Sequence, residues 1–127
     1  SNDGWADMFF EEETFYFGTI EEGDIVKHSF KFNNRGTGDL VISEATATCG
    51  CTRPDYPFLP IGPNENGEIN VAFHSTGKLG MQRKAVTIFS NSSPKVKLVY
   101  LEGKVVKKGE LEVAPAPELQ ADTTSSN

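Results

Sequence analysis

Hydrophobic and polar residues alternate along short stretches of this chain. Val26, His28, Phe30 and Phe32 share one parity, and Lys27, Ser29 and Lys31 take the other. Ile69, Val71 and Phe73 alternate with Asn70 and Ala72, and Val86 and Ile88 flank Thr87. Val99, Leu101, Gly103 and Val105 alternate with Tyr100, Glu102 and Lys104. Side chains of a strand point to opposite faces in turn, so a period of two means one buried face and one wet face. No window carries a helical stripe. Between the alternating stretches stand "NNRGTGD" (33–39), "GPNENGE" (62–68), "HSTGKLG" (74–80) and "NSSPK" (91–95). Gly, Asn, Asp and Pro favour turn dihedrals, so these segments predict turns. Many short strands at close spacing predict an all-β sandwich or barrel. Its core is expected to hold Phe30, Phe32, Val71, Phe73, Ile88 and Leu101.

One stretch breaks the pattern. Leu40 and Ile42 share a face, but Ala45, Ala47, Cys49 and Cys51 have the opposite parity. A change of parity within a strand predicts a β-bulge or a crossover between sheets near Ser43–Glu44. Pro54 restricts Arg53 and removes an N–H, so the strand is expected to stop there. The ends differ from the middle. Residues 1–13 read as an acidic arm, partly docked, because Trp5, Met8, Phe9 and Phe10 are too apolar to stay free. They either lie on the sandwich or pair as an extra strand. Residues 14–108 read as the sandwich, and 109–127 as a tail or linker rich in Pro, Ala, Ser and Thr.

Length and charge narrow the function classes. A chain of 127 residues suits one domain and needs no disulfide staples. The net charge of −6 argues against nucleic acid, which attracts basic patches. Residues 1–24 carry Asp3, Asp7, Glu11, Glu12, Glu13, Glu21, Glu22 and Asp24 without a Lys or Arg. That run reads first as a solvated, self-repelling surface, and second as a site for a cation or basic partner. No apolar run is long enough to span a membrane. The polar opening Ser1-Asn2 fits removal of a targeting segment.

Candidate chemistry centres on Thr48-Cys49-Gly50-Cys51-Thr52, which holds both cysteines. In a flat strand, positions i and i+2 lie about 6.6 Å apart with parallel Cβ vectors. A disulfide wants its Cβ atoms about 3.8 Å apart. Gly50 could bend the backbone through a positive φ and let the ring close. Such a ring would add only roughly 1.6 kcal/mol through chain entropy. Three readings stay open: small buried side chains, a redox pair, or a soft-metal clamp for Cu(I). Zinc would need about two more ligands. Met8, Met81, His28 and His74 would serve only if the fold assembled them. A cysteine nucleophile needs a base, and His28 and His74 are the candidates. His28 shares the apolar parity of its strand and reads as structural. The segments "GTGDLV" and "TGKLG" lack the remaining residues of a phosphate cradle and read as hairpin turns.

Four segments, taken in order, resemble one bacterial family. They are "FGTIEEGDIVKHSFKFNNRGTGDLVI", "TCGCTRPDYP", "PIGPNENGEINVAFHSTGKLG" and "TIFSNSSPKVKLVYLEGKV", within residues 15–106. The family is a domain of unknown function with a Cys-Gly-Cys-Thr motif, distantly similar to ASPM/Hydin-type (ASH) and major-sperm-protein sandwiches. The resemblance implies an Ig-like antiparallel sandwich of about seven strands. It also implies export to the periplasm, outer membrane or cell surface, with a lipid anchor upstream in some members. It brings no established activity, and neither an enzyme nor a cofactor is expected. Where the family more often has Asp, this chain has His74, and "PIGPNENGE" departs from the family's first loop. The function expected is a non-catalytic module that binds a protein or glycan partner. The alternative is a thiol redox or copper-binding domain using Cys49 and Cys51.

Overall fold

The computed structural model describes residues 4–111. The chain order is β1 (Met8–Phe10), β2 (Thr14–Glu21), β3 (Ile25–Asn34), β4 (Ile42–Ala47), β5 (Thr52–Asp55), β6 (Asn66–His74), β7 (Gly80–Ser90) and β8 (Val96–Val106). One sheet has the order β1-β3-β6-β5 and the other β2-β8-β7-β4. This is an Ig-like sandwich with eight strands among the described residues rather than about seven. The added strand is β1, which pairs antiparallel with β3 and buries Met8 and Phe10. The sheets are not wholly antiparallel, because β2 runs parallel to β8.

The alternating residues meet between the sheets. All six core residues expected from parity are buried, and Ile69, Val86, Val99 and Val105 join them. Phe17 of β2 reaches across to Phe73 of β6, with ring centroids 5.7 Å apart. That contact needs Gly103 beside it: a Cβ there would stand 2.3 Å from the Phe17 ring. The backbone of β2 bulges opposite, between Tyr16 and Gly18.

Two turn readings change. The Gly-rich segments 33–39 and 74–80 are not hairpins. Each carries the chain from one sheet to the other, from β3 toward β4 and from β6 to β7. Turn residues mark where a strand ends, but they do not say which strand is its neighbour. The expected bulge is present, with a register shift between Ile42 and Glu44, while the crossover comes later, at 48–51. The acidic run is also not a free arm. Glu12 pairs with His28 at 2.7 Å. The Glu21, Glu22 and Asp24 carboxylates accept backbone N–H groups from Gly109, Gly77 and Glu21. Of the tail read over 109–127, residues 112–127 lie outside the described residues, as does Asp3.

Asn34 closes one end of the sandwich and is fully buried. Its Oδ1 accepts the N–H groups of Asp7 at 3.2 Å and Gly36 at 2.9 Å. Its Nδ2 donates to the carbonyls of Gly38 and Ile61, each at 2.9 Å. The side chain thus ties the N-terminal segment, the first inter-sheet arch and the β5–β6 loop to one point.

Two substitutions test this arrangement. Phe73→Ala should destabilise the domain by about 3–5 kcal/mol in chemical denaturation, and a change under about 1 kcal/mol would contradict the register. Asn34→Asp keeps the shape but loses both donors and faces two carbonyls with a charge. It should destabilise by on the order of 3 kcal/mol or more at neutral pH, read the same way.

Candidate functional site

The chain must leave the second sheet at Ala47 and enter the first at Thr52. The four residues between make that crossing as a tight turn, closed by the Thr52 N–H donating to the Cys49 carbonyl at 3.1 Å. Within it Cys49 and Cys51 are joined by a disulfide, with Cα atoms 5.1 Å apart. That is shorter than the i to i+2 step of a strand, so the turn brings the sulfurs together. Of the possibilities open from sequence, the joined local ring is the one present. Gly50 does not achieve it through a positive φ, as the sequence suggested, because its φ is not in the left-handed region. A Cβ at that position would meet nothing within 4 Å. The space above the ring is open.

The two sulfurs have different surroundings. Cys51 packs against the hydrophobic core, and its Sγ lies 3.6 Å from the Thr52 hydroxyl. Cys49 is half-buried between the exposed residues Thr48 and Gly50. The Cys51 N–H donates to Cys49 Sγ at 3.1 Å. Thr52 is buried opposite Phe73, and the His74 N–H donates to the Cys51 carbonyl at 2.8 Å. The turn is therefore held to β6 by backbone and to the core by side chain.

The strand does not stop at Arg53-Pro54 as expected. Both lie inside β5, which pairs with β6 and forms a sheet edge. The bond from His74 to Cys51 fixes the alternation of the ladder, and position 54 then has its nitrogen on the free side. Proline is tolerated there because no ladder bond is lost.

Of the other candidates, His74 lies beside Cys51 across the ladder through its backbone, while His28, Met8 and Met81 belong to strands that do not carry the ring. The His28 ring stacks on Phe15 with centroids 3.8 Å apart and meets Phe30 edge-on. Its Nε2 is bonded to Glu12, so it is a half-buried structural histidine, as its parity implied. Met8 is in the core, and Met81 stands exposed on β7. Among the described residues, no three His, Cys, Asp or Glu side chains come together as a metal-holding group.

A second feature was not visible in the sequence. The loop between β5 and β6 projects Phe58 and Leu59, which are 91% and 69% exposed. Its base is clamped. The Tyr56 hydroxyl donates to the Ser43 carbonyl at 3.1 Å. Leu40 and Ile61 exchange backbone bonds at 2.8 and 2.9 Å. Glu65 accepts the Gly62 N–H at 2.9 Å. Pro57 and Pro60 flank the pair and restrict its backbone. The signal present was an apolar pair between prolines, outside any alternating run.

Residues 8–105 match the family described as protein of unknown function (DUF1573). No curated protein matches the chain. Among solved structures, a protein of unknown function from Porphyromonas gingivalis W83 superposes with a TM-score of 0.69 at 13% identity, over 78% of this chain and 46% of that one. The secreted serine protease VesC from Vibrio cholerae gives 0.60 at 11% identity, over 78% of this chain and 23% of the protease. The ASH/PapD-like domain 7 of human CEP192 gives 0.61 at 14% identity, over 80% of this chain and 86% of that domain. These likenesses establish the fold. The chain spans under half the length of the first two.

The ring's geometry makes a prediction about its glycine. Gly50→Ala should leave the disulfide intact by mass spectrometry. It should raise stability by about 0.4–1 kcal/mol, since the added methyl meets no atom and narrows the unfolded ensemble.

Proposed function

The chain belongs to the family described as protein of unknown function (DUF1573), and on that premise we propose that it is an exported, non-catalytic module that binds a protein partner at the bacterial cell envelope. The observation that carries this reading is the Phe58–Leu59 tip. Single exposed apolar residues are ordinary on protein surfaces. Two adjacent large ones on a loop held by several hydrogen bonds are a preformed prong, with little ordering entropy left to lose on docking. An apolar prong suits a pocket on a protein better than a sugar. On the outer face of the first sheet, polar side chains pair across strands. Asn33 donates to Asn66 at 2.9 Å, and the Ser29 hydroxyl bonds Asn70. Export to the periplasm, outer membrane or cell surface is part of this proposal and rests on the resemblance carried by residues 15–106.

The reading is tested by placing a photo-crosslinking residue at position 58 in cells that make the protein. A discrete protein adduct is expected from position 58, lost on Leu59→Ser, and absent from the same probe at Lys104 on the far sheet. A lipid or glycan adduct, no adduct, or equal adducts from both positions would overturn it. Phe58→Ser and Leu59→Ser should shift Tm by no more than about 2 °C, since neither side chain is packed in the domain.

A further inference from the structure

We propose that the Cys49–Cys51 ring is a thiol–disulfide exchange site for a protein dithiol, with Cys49 the exchanging sulfur and Cys51 the resolving one. A ring closed over one glycine joins no elements that the peptide bonds do not already join. As a staple it removes little freedom from the unfolded chain. Its place in the fold suits chemistry better. It stands at an exposed crossing, above a glycine with open space around it, and its base is fixed to β6 and the core. A partner backbone can approach there without moving a strand.

The asymmetry of the two sulfurs assigns their roles. The Cys51 N–H points at Cys49 Sγ. In the reduced pair, a donor so placed favours the thiolate on Cys49 over one on Cys51. Cys49 is also the sulfur flanked by exposed residues, whereas Cys51 packs on the core. The steps balance as follows. In the reduced form, the Cys49 thiolate attacks one sulfur of a partner disulfide. A mixed disulfide forms, and the partner's other sulfur leaves as a thiolate. Cys51 then gives its proton to water and attacks Cys49 Sγ. The ring forms, the second partner sulfur leaves, and two electrons have passed from this chain to the partner. In reverse, a partner thiolate attacks Cys49 Sγ and expels Cys51 as a thiolate. The partner's second thiolate then attacks its own sulfur in the mixed disulfide and expels Cys49, so the partner dithiol becomes a disulfide and the two cysteines are reduced.

The test uses the full chain with glutathione disulfide as the probe. After reduction and removal of reductant, wild type should return to the ring without retaining glutathione. Cys51→Ser should hold one glutathione on Cys49. Cys49→Ser should react at least about tenfold more slowly, because its remaining thiol lacks the N–H donor and sits against the core. The same ranking is read in the unmutated chain, where limiting iodoacetamide should label Cys49 about tenfold faster than Cys51. Equal reactivity of the two thiols would overturn the assignment. So would a ring that dithiothreitol opens only after the domain is unfolded.

Discussion

A single buried amide governs how this sandwich is closed. An asparagine side chain has two donors and two acceptor sites, and in water all of them are satisfied. Buried without partners, each would oppose folding by about 1–3 kcal/mol. At Asn34 every one is met, and each partner is backbone. Its main chain adds two bonds, accepting from Asn64 at 2.6 Å and donating to Glu65 at 2.9 Å. The arrangement is all-or-none. The arch at 36–38, the segment before β1 and the loop after β5 must all be in place together. The apolar tip at Phe58–Leu59 inherits its fixed direction from this point, because the Ile61 carbonyl is one of the amide's acceptors.

The opposite end is fastened by a different device. Ser75 is buried there, and its hydroxyl accepts the Gly23 N–H at 2.9 Å and donates to the Asp24 carbonyl at 2.7 Å. The carboxylates of Glu21 and Glu22 receive nearby N–H groups from two other loops. Charges that look like a repelling surface in sequence thus act as caps for loop backbone. Between the two ends, aromatic contacts join the sheets. Phe17 of β2 meets Phe73 of β6, and Phe15 of β2 stacks on His28 of β3, which meets Phe30 edge-on. The disulfide lies outside this frame and adds no tie between strands that the frame lacks.

Parity made the core legible. Val26, Phe30 and Phe32 follow the pleat, and no tertiary detail is needed to see that they face one way. Parity also located the bulge at Ile42–Glu44, because an extra residue inverts every side chain after it. Neighbour relations were not legible. Nothing local in "NNRGTGD" separates a hairpin from an arch between sheets, and nothing in Asn34 separates a turn residue from a buried hub. Pro54 is ambiguous in sequence for the same reason: its effect depends on which side of the strand is paired. The joined cysteines were half visible. Their spacing limited them to a local ring or two free thiols, but the N–H directed at Cys49 arises from the turn. Phe58 and Leu59 carry no exposure signal in the sequence, because exposure belongs to the fold and not to the residue.

The parallel pairing of β2 with β8 links residues 14–21 to residues 96–106. In its own sheet, β2 touches no other strand. A chain threaded through a pore from its N-terminus therefore keeps β2 without its ladder until nearly the whole domain has emerged. Loop closure over that span comes late, and long-range pairings form slowly. The strand with the earliest residues in the second sheet is the last to be locked. The topology itself delays closure of the second sheet until residues 96–106 are available to pair.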